Sequence, residues 1–354
     1  MINKFRREDI MDLKPYFVNE IKYDVVLDAN ESFIQYDDDI KKEITDSINK
    51  LAFNRYPDNS YKNLRNAYSD YIGVNPDNIV CTNGSDEAIS LLTTAFLNHT
   101  DTLLWFNPDF SMYQIYTALR GAKHQLLESN DDFSIDVDYV IKKVKEIKPN
   151  ILIFSNPTNP SGYIMNVDEI KKLLVNCDTI VVVDEAYIEF SNTTSVTTLI
   201  NDYENLIVLR TCSKALGLAN IRLGFLLSND KIIFEIDKVR VPYNLNGVSS
   251  AIAEVVFTHK EVIANNINTI ITYREEMLAK LAGIKNIEIV PTSTNFFLMK
   301  FEDSNYVYNE LLKKSIKLRN YKSGRLKSYL RVCVGNKEEN EIFINALKEI
   351  MEAQ

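Results

Sequence analysis

The stretch RTCSKALGLANIRLGF, residues 210–225, follows directly on the apolar run Leu206-Ile207-Val208-Leu209. Thr211 and Ser213 bring two hydroxyls beside Lys214, and Arg222 stands eight residues beyond the lysine. A cation at the end of a buried strand is costly unless something compensates it. Two hydroxyl donors and a forked guanidinium are the components of a phosphate clamp. A lysine beside such a clamp can form a Schiff base with an aldehyde once it is deprotonated.

Three further polar clusters each follow an apolar run. In NIVCTNGSDEAISLL, Gly84-Ser85-Asp86-Glu87 falls between a strand and a helix, where backbone N–H groups and the helix dipole favour an anion. Ordinary N-capping by Ser85 or Asp86 accounts for the same residues. In ILIFSNPTNPSG, Asn156, Asn159 and Gly162 lie in a proline-rich turn, where asparagine amides often serve only the local backbone. In TIVVVDEAYIEF, Asp184 is delivered to a strand end and Tyr187 follows three residues later. A carboxylate placed there needs a partner, either a scaffold lysine or arginine or a protonated pyridine nitrogen. Ligands of open α/β sheets bind at the carboxyl ends of the strands, and one ligand engages all four clusters together. Pyridoxal 5'-phosphate has a phosphate, an aldehyde, a phenolic oxygen and a pyridine nitrogen, and each meets a matching group.

The elements that must position these residues repeat one pattern from about residue 79 to 227. Apolar runs at 79–81, 102–106, 151–154, 179–183, 206–209 and 223–227 read as strands. Between them, DEAISLLTTAFLNH and VDYVIKKVKEIK carry apolar residues at helical spacing, and Asn166 with Glu169 has capping-box spacing. The alternation predicts an α/β domain on a mainly parallel sheet. The last ninety or so residues, with strand candidates IEIV, NFFLMKF and SYLRVCVG and the helical EENEIFINALKEIMEAQ, predict a smaller α+β domain. The N-terminal thirty residues hold too little apolar material to fold alone, so they are expected to pack on that domain or across a subunit boundary.

Composition excludes other classes. The chain has 354 residues, a formal charge of -9, 45% hydrophobic and 25% charged residues, values of a soluble globular protein without a general nucleic-acid surface. No apolar run approaches the roughly 20 residues of a membrane-spanning helix, and MINKFRREDIMDLKP lacks a signal-peptide core, so a cytoplasmic location is expected. Cys81, Cys177, Cys212 and Cys333 lack CxxC spacing and read as buried thiols, and His99, His124 and His259 neighbour no ligand cluster, so no metal is expected. Neither GxGxxG nor GxxxxGK[ST] occurs, which removes the usual nucleotide loops.

In order along the chain, LDANE, RYPD, GSDEAI, NPTNPSG, VVDEAYIEF, SKALGLANIRLGF, PYNLN, TNFFL and YLRVCVG resemble fold-type I pyridoxal-phosphate aminotransferases, and within them the histidinol-phosphate aminotransferase group. The resemblance implies the three-layer α/β fold of the pyridoxal-phosphate transferases, with a large cofactor domain at 30–250 and a small domain from 1–29 plus 251–354. It implies that Lys214 carries the cofactor and shuttles the substrate proton, that Asp184 holds the pyridine nitrogen protonated, and that Asn159 and Tyr187 bond the phenolic oxygen. Ser85, Asp86, Thr211, Ser213 and Arg222 would surround the phosphate, and Phe110 would stack on the ring. Tyr56 would reach the phosphate in a neighbouring subunit, which implies a homodimer with shared active sites. Arg331 would bind the carboxylate of glutamate, with Arg319, Tyr16 and Asn30 at the polar end of the substrate. The implied reaction moves an amino group between histidinol phosphate and 2-oxoglutarate. Aromatic amino-acid transamination, threonine-phosphate decarboxylation and a ligand sensor on the same fold are the alternatives.

Overall fold

The computed structural model describes residues 2–7 and 21–353, so Tyr16 lies outside the described residues. The chain begins with β1 (Val25–Leu27), α1 (Asp38–Asn49) and α2 (Lys62–Ile72). An alternating stretch follows: β2 (Ile79–Thr82), α3 (Gly84–Phe96), β3 (Thr102–Asn107), α4 (Met112–Leu119), β4 (Lys123–Glu128), α5 (Val137–Ile147), β5 (Ile151–Ser155), α6 (Val167–Asn176) and β6 (Ile180–Asp184). Then come β7 (Leu206–Thr211), β8 (Gly224–Ser228), α7 (Asp230–Val239), α8 (Gly247–Thr258) and the long α9 (Lys260–Leu281). The chain closes with β9 (Glu288–Ile289), β10 (Phe296–Lys300), α10 (Ser304–Lys313), β11 (Ile316–Asn320), β12 (Tyr329–Cys333) and α11 (Lys337–Glu352).

Seven strands form one sheet in the order β2-β8-β7-β6-β5-β3-β4. Its pairs from β7 through to β4 are parallel, as the alternating pattern predicts. The exception is β8, which runs antiparallel to both β2 and β7. Because β8 is reversed, its amino end lies at the carboxyl ends of its neighbours, with Gly224 in register with both Thr82 and Thr211. A loop that enters β8 therefore reaches the ligand edge of the sheet.

The alternation of side chains along the central strands explains why both faces are covered. Leu104, Phe106, Leu152, Phe154, Val181, Val183, Leu206 and Val208 belong to one buried cluster, while Leu103, Trp105, Ile151, Ile153, Val182, Ile207 and Leu209 belong to another on the opposite face. The second cluster is closed by Ala88, Ile89 and Leu92 of α3 and by Ile232 and Ile236 of α7. Helices on each side of a doubly buried sheet make three layers. The capping box expected at Asn166 and Glu169 opens α6, with both reciprocal hydrogen bonds formed.

A second sheet has the order β1-β11-β12-β10-β9. It joins residues from both ends of the chain, since β1 pairs in parallel with β11. Val25–Leu27 thus pairs with a strand from the last ninety residues. Three strands carry no clear sequence signal. The edge strand β4 exposes most of KHQLLE and buries Leu127 alone, while β1 is only three residues long and β11 is partly polar. Residue 250, the expected boundary of the large domain, falls inside α8. The four cysteines are free and buried. Among the described residues no helix is long and apolar enough to cross a membrane.

Candidate active site

Local chain geometry and sheet topology bring the four clusters to one edge. The turn after β2 is shorter than the sequence suggests. Gly84-Ser85-Asp86-Glu87 is already the first turn of α3, and the N-cap is Asn83, whose side chain makes no capping bond. Capping by Ser85 or Asp86 is therefore not what holds this end. The first turn of α3 lies beside Arg222, whose Nη2 is 3.3 Å from Asp86 Oδ2. Backbone approach here is close. A Cβ on Gly84 would stand 2.9 Å from Arg222 Nη2, and one on Gly224 would stand 2.5 Å from the Ser85 nitrogen.

The connection from β7 to β8 supplies the rest of that anion site. Ser213 donates its backbone N–H to Thr211 Oγ1 at 3.1 Å, and the two hydroxyls lie 3.0 Å apart. Arg222 donates from Nη1 to Ser213 Oγ at 3.4 Å. A guanidinium, two hydroxyls and a helix N-terminus converge, the components of a phosphate cradle.

Lys214 follows Ser213. Its Nζ donates to the Ala29 carbonyl at 2.9 Å, and no carboxylate of the described residues forms an ion pair with it. Enclosure by protein, reinforced by the Arg331 charge, pushes its amine down to about 8. Such a lysine is neutral often enough to attack an aldehyde near physiological pH.

Asp184 ends β6, buried to 3% exposure. Its Oδ2 accepts from the Tyr113 hydroxyl at 2.9 Å and its Oδ1 from the Ala186 N–H at 3.2 Å. Burial pushes the carboxyl up to about 6. Among the described residues no cation forms an ion pair with it. The buried arginine nearby, Arg210, instead pairs with the next residue, Glu185, at 2.9 Å and with Glu189 at 2.9 Å. A buried acid left without a cation beside a phosphate cradle fits a protonated pyridine nitrogen.

Tyr187 is also buried, with its ring edge-on to Phe296 at 5.0 Å. Its hydroxyl accepts from Asn30 Nδ2 at 3.0 Å and from Asn159 Nδ2 at 3.4 Å, which leaves its own hydrogen to donate. Asn30 is held at φ 54, a left-handed conformation that asparagine tolerates better than most residues. Its backbone carbonyl accepts from Asn295, and its Oδ1 has no partner.

Arg331 lies on β12, 8% exposed, with its guanidinium 5.2 Å from the centre of the Phe296 ring. It donates from Nη1 to Asn159 Oδ1 at 2.7 Å and from Nη2 to the Asp28 carbonyl at 2.7 Å, while Nε has no partner. No acid of the described residues pairs with it. Arg319 on β11 stands in register opposite Arg331, exposed, with its guanidinium 6.0 Å from the Tyr321 ring. Like charges placed opposite each other are unfavourable unless an anion joins them.

Phe110 follows β3 and meets Tyr113 edge-on at 5.6 Å. Tyr56 stands outside this cluster within one chain. It is 80% exposed and stacks on Tyr243 at 4.6 Å. Two residues escape the sequence reading. Tyr113 bonds Asp184, and its spacing of three from Phe110 on a helix start was the available signal. Asn295 bonds the Asn30 carbonyl across 265 positions, for which no local pattern exists.

The fold and this edge define the class of three-layer α/β enzymes, here with an anion-suited corner, a lysine pushed toward neutrality and a buried acid that no cation of the described residues pairs. The chain belongs to the class I and II aminotransferase family, which it matches over residues 21–347. It is 42% identical over 351 residues to the histidinol-phosphate aminotransferase of Clostridium kluyveri, covering 99% of this chain and 100% of that one. It is 43% identical over 348 residues to that of Clostridium novyi, covering 98% of each. Among solved structures, the histidinol-phosphate aminotransferase of Sinorhizobium meliloti in complex with pyridoxal-5'-phosphate superposes with a TM-score of 0.89 at 21% identity, covering 98% of each chain. The L-threonine-O-3-phosphate decarboxylase of Porphyromonas gingivalis shares the fold, with a TM-score of 0.81 at 21% identity over 93% of this chain and 99% of that one.

Proposed function

We propose that this chain transfers an amino group between L-histidinol phosphate and 2-oxoglutarate, with pyridoxal 5'-phosphate as cofactor. Arg222, Thr211, Ser213 and the N–H groups of Ser85 and Asp86 would hold the phosphate, Lys214 the aldehyde carbon, Asn159 and Tyr187 the phenolic oxygen, and Asp184 the pyridine nitrogen. Phe110 would cover one face of the ring. When bound, the cofactor supplies an electron sink for charge that develops at the substrate Cα. Asp184 would accept a hydrogen bond from a protonated ring nitrogen, and its burial without a paired cation favours that role. Lys214 would hold and move the substrate Cα proton, a task suited to an amine pushed down to about 8.

The observation that carries the substrate reading is the pair Arg331 and Arg319, two arginines in register on adjacent strands with no acid of the described residues paired to either. A two-arginine site suits an enzyme whose alternating donors end in different anions, the carboxylates of glutamate and the phosphate of histidinol phosphate. Asn30, with its free Oδ1, would line the polar end. The full-length similarity to histidinol-phosphate aminotransferases supports the same choice. A homodimer is part of the proposal. The exposed Tyr56 and Tyr243 would pack at its interface, and Tyr56 would reach the partner's phosphate cradle.

A half-reaction screen tests the substrate. Purified enzyme is mixed with single amino donors, and loss of the visible absorption of the bound cofactor is followed in time. Histidinol phosphate and glutamate are expected to bleach the band, each with release of its oxo product. Carbon dioxide release from phosphothreonine, or a larger kcat/KM for an aromatic amino acid than for histidinol phosphate, would displace this substrate.

A further inference from the structure

Asp109 is an acid that none of the roles above employs. It stands two residues beyond β3 and immediately before Phe110. Its Oδ2 accepts the Ser155 N–H at 3.0 Å, and its Oδ1 accepts the Ser155 hydroxyl in a very short contact and the Phe110 N–H at 2.7 Å. Ser155 ends β5 and is buried to 2% exposure. Its Oγ in turn accepts the Asn159 N–H at 2.9 Å. The carboxyl of Asp109 thus stitches the end of β3 to the end of β5, and both stitched segments carry a group assigned to the cofactor ring.

The surroundings contain no cation to explain the acid otherwise. No lysine or arginine of the described residues forms an ion pair with Asp109. The charged group facing it is Asp184 from β6, with the neutral Tyr113 of α4 bonded to Asp184 in turn. Enclosure by protein pushes the Asp109 carboxyl up to about 8 and the nearby Asp184 charge adds to the rise, against the donors of Ser155 and Phe110, which favour its charged form. An unpaired acid next to another acid weakens the fold unless its hydrogen bonds return something specific.

We propose that Asp109 is a positioning residue for the cofactor: by clamping both the N–H and the hydroxyl of Ser155, it fixes the Asn159 turn and the Phe110 loop relative to each other. An amide cannot replace it. Asparagine offers one acceptor atom where three donors converge, so its amide nitrogen must face at least one N–H or O–H. This inference rests on the cofactor assignment above.

The test uses the full-length protein as Asp109→Asn, Ser155→Ala, Asn159→Ala and the Asp109→Asn/Asn159→Ala double variant. Two quantities are read: the dissociation constant of pyridoxal 5'-phosphate from the apoprotein, followed by quenching of the single tryptophan, Trp105, and the pH midpoint of the absorption band of the bound cofactor. Asp109→Asn is expected to weaken binding by roughly fivefold or more. It should also move the midpoint by about half a unit in the same direction as Asn159→Ala. The double variant should be no worse than the more damaged single one, because both act through one turn. A wild-type midpoint and affinity in Asp109→Asn, or additive effects in the double variant, overturn the proposal. Should Asp109→Asn not fold, Ser155→Ala breaks the same link and decides by the same criteria. Borohydride trapping of the cofactor on wild-type protein and on Lys214→Ala separates the two levels. Trapping that depends on Lys214, together with a silent Asp109→Asn, rejects only the role of Asp109.

Discussion

Lys214, half-buried, and Asp184, buried, are both held against their preferred charge, in opposite directions. The lysine is pushed toward neutrality and the acid toward protonation, and under the proposed function a different atom of one ligand would relieve each. The lysine makes a pH prediction whose sign follows from its depressed value. Below about 8 the neutral amine falls tenfold per pH unit, so capture of pyridoxal 5'-phosphate by the apoprotein should accelerate with pH and level off above that point. Stopped-flow absorbance measures it, and a rate that is flat from pH 6 to 9 would contradict the assigned nucleophile. Linkage acts on stability in the same sense. Between about 8 and the ordinary 10.5 the unfolded chain holds a proton that the folded chain has released, so this group adds stability as pH rises through that window. These residues were legible because each ends an apolar run with a polar cluster, a local pattern. The partners of Arg331 were not. Its bonds to Asn159 and to the Asp28 carbonyl span 172 and 303 positions and depend on how two sheets meet.

At the level of elements, the reversed strand β8 is the decisive departure from a purely parallel sheet. Its reversal places Arg222 beside the start of α3, and the packing there leaves no room for a side chain at Gly224. Gly224→Ala would drive a methyl group into the backbone of Gly84 and Ser85, at the phosphate cradle itself. Affinity of the apoprotein for pyridoxal 5'-phosphate should fall about tenfold or more, with a loss of roughly 1–3 kcal/mol in thermal stability. Gly283→Ala, at a site with no atom within 4 Å, should change neither. Isothermal titration and melting curves of the two variants make the comparison. Periodicity revealed the central strands because they are buried on both faces and read as continuous apolar runs. It missed β4, whose single buried side chain leaves no period to detect, and β11, whose alternation is broken by polar residues.

At the scale of the whole molecule, an assembly with exchanged tyrosines can be tested by complementation. Lys214→Ala and Tyr56→Ala chains, unfolded together and refolded at equal concentration, should form hybrids in which one site carries both lesions and the other carries neither. Activity should recover to roughly a quarter of wild type, above the sum of the separate variants. Recovery no greater than that sum would show that Tyr56 serves its own chain or none. The second sheet gives the same scale a different lesson. Its strands come from residues 25–27 and 288–333, so the chain must be nearly complete before this sheet can close around Arg331. The sequence indicated a smaller second unit but not which strands would pair, because pairing between distant segments leaves no local periodicity.

The hairpin formed by β7 and β8 has one more consequence. Lys214 and Arg222 lie on the same loop, cinched at its base by the Cys212 N–H to Leu223 carbonyl bond of 3.0 Å. The residues proposed to hold the cofactor covalently and ionically therefore belong to one contiguous peptide. A circular permutant opened between residues 214 and 222 would separate the two and should weaken cofactor retention, whereas new termini at an exposed helix end elsewhere would leave both on one unbroken loop.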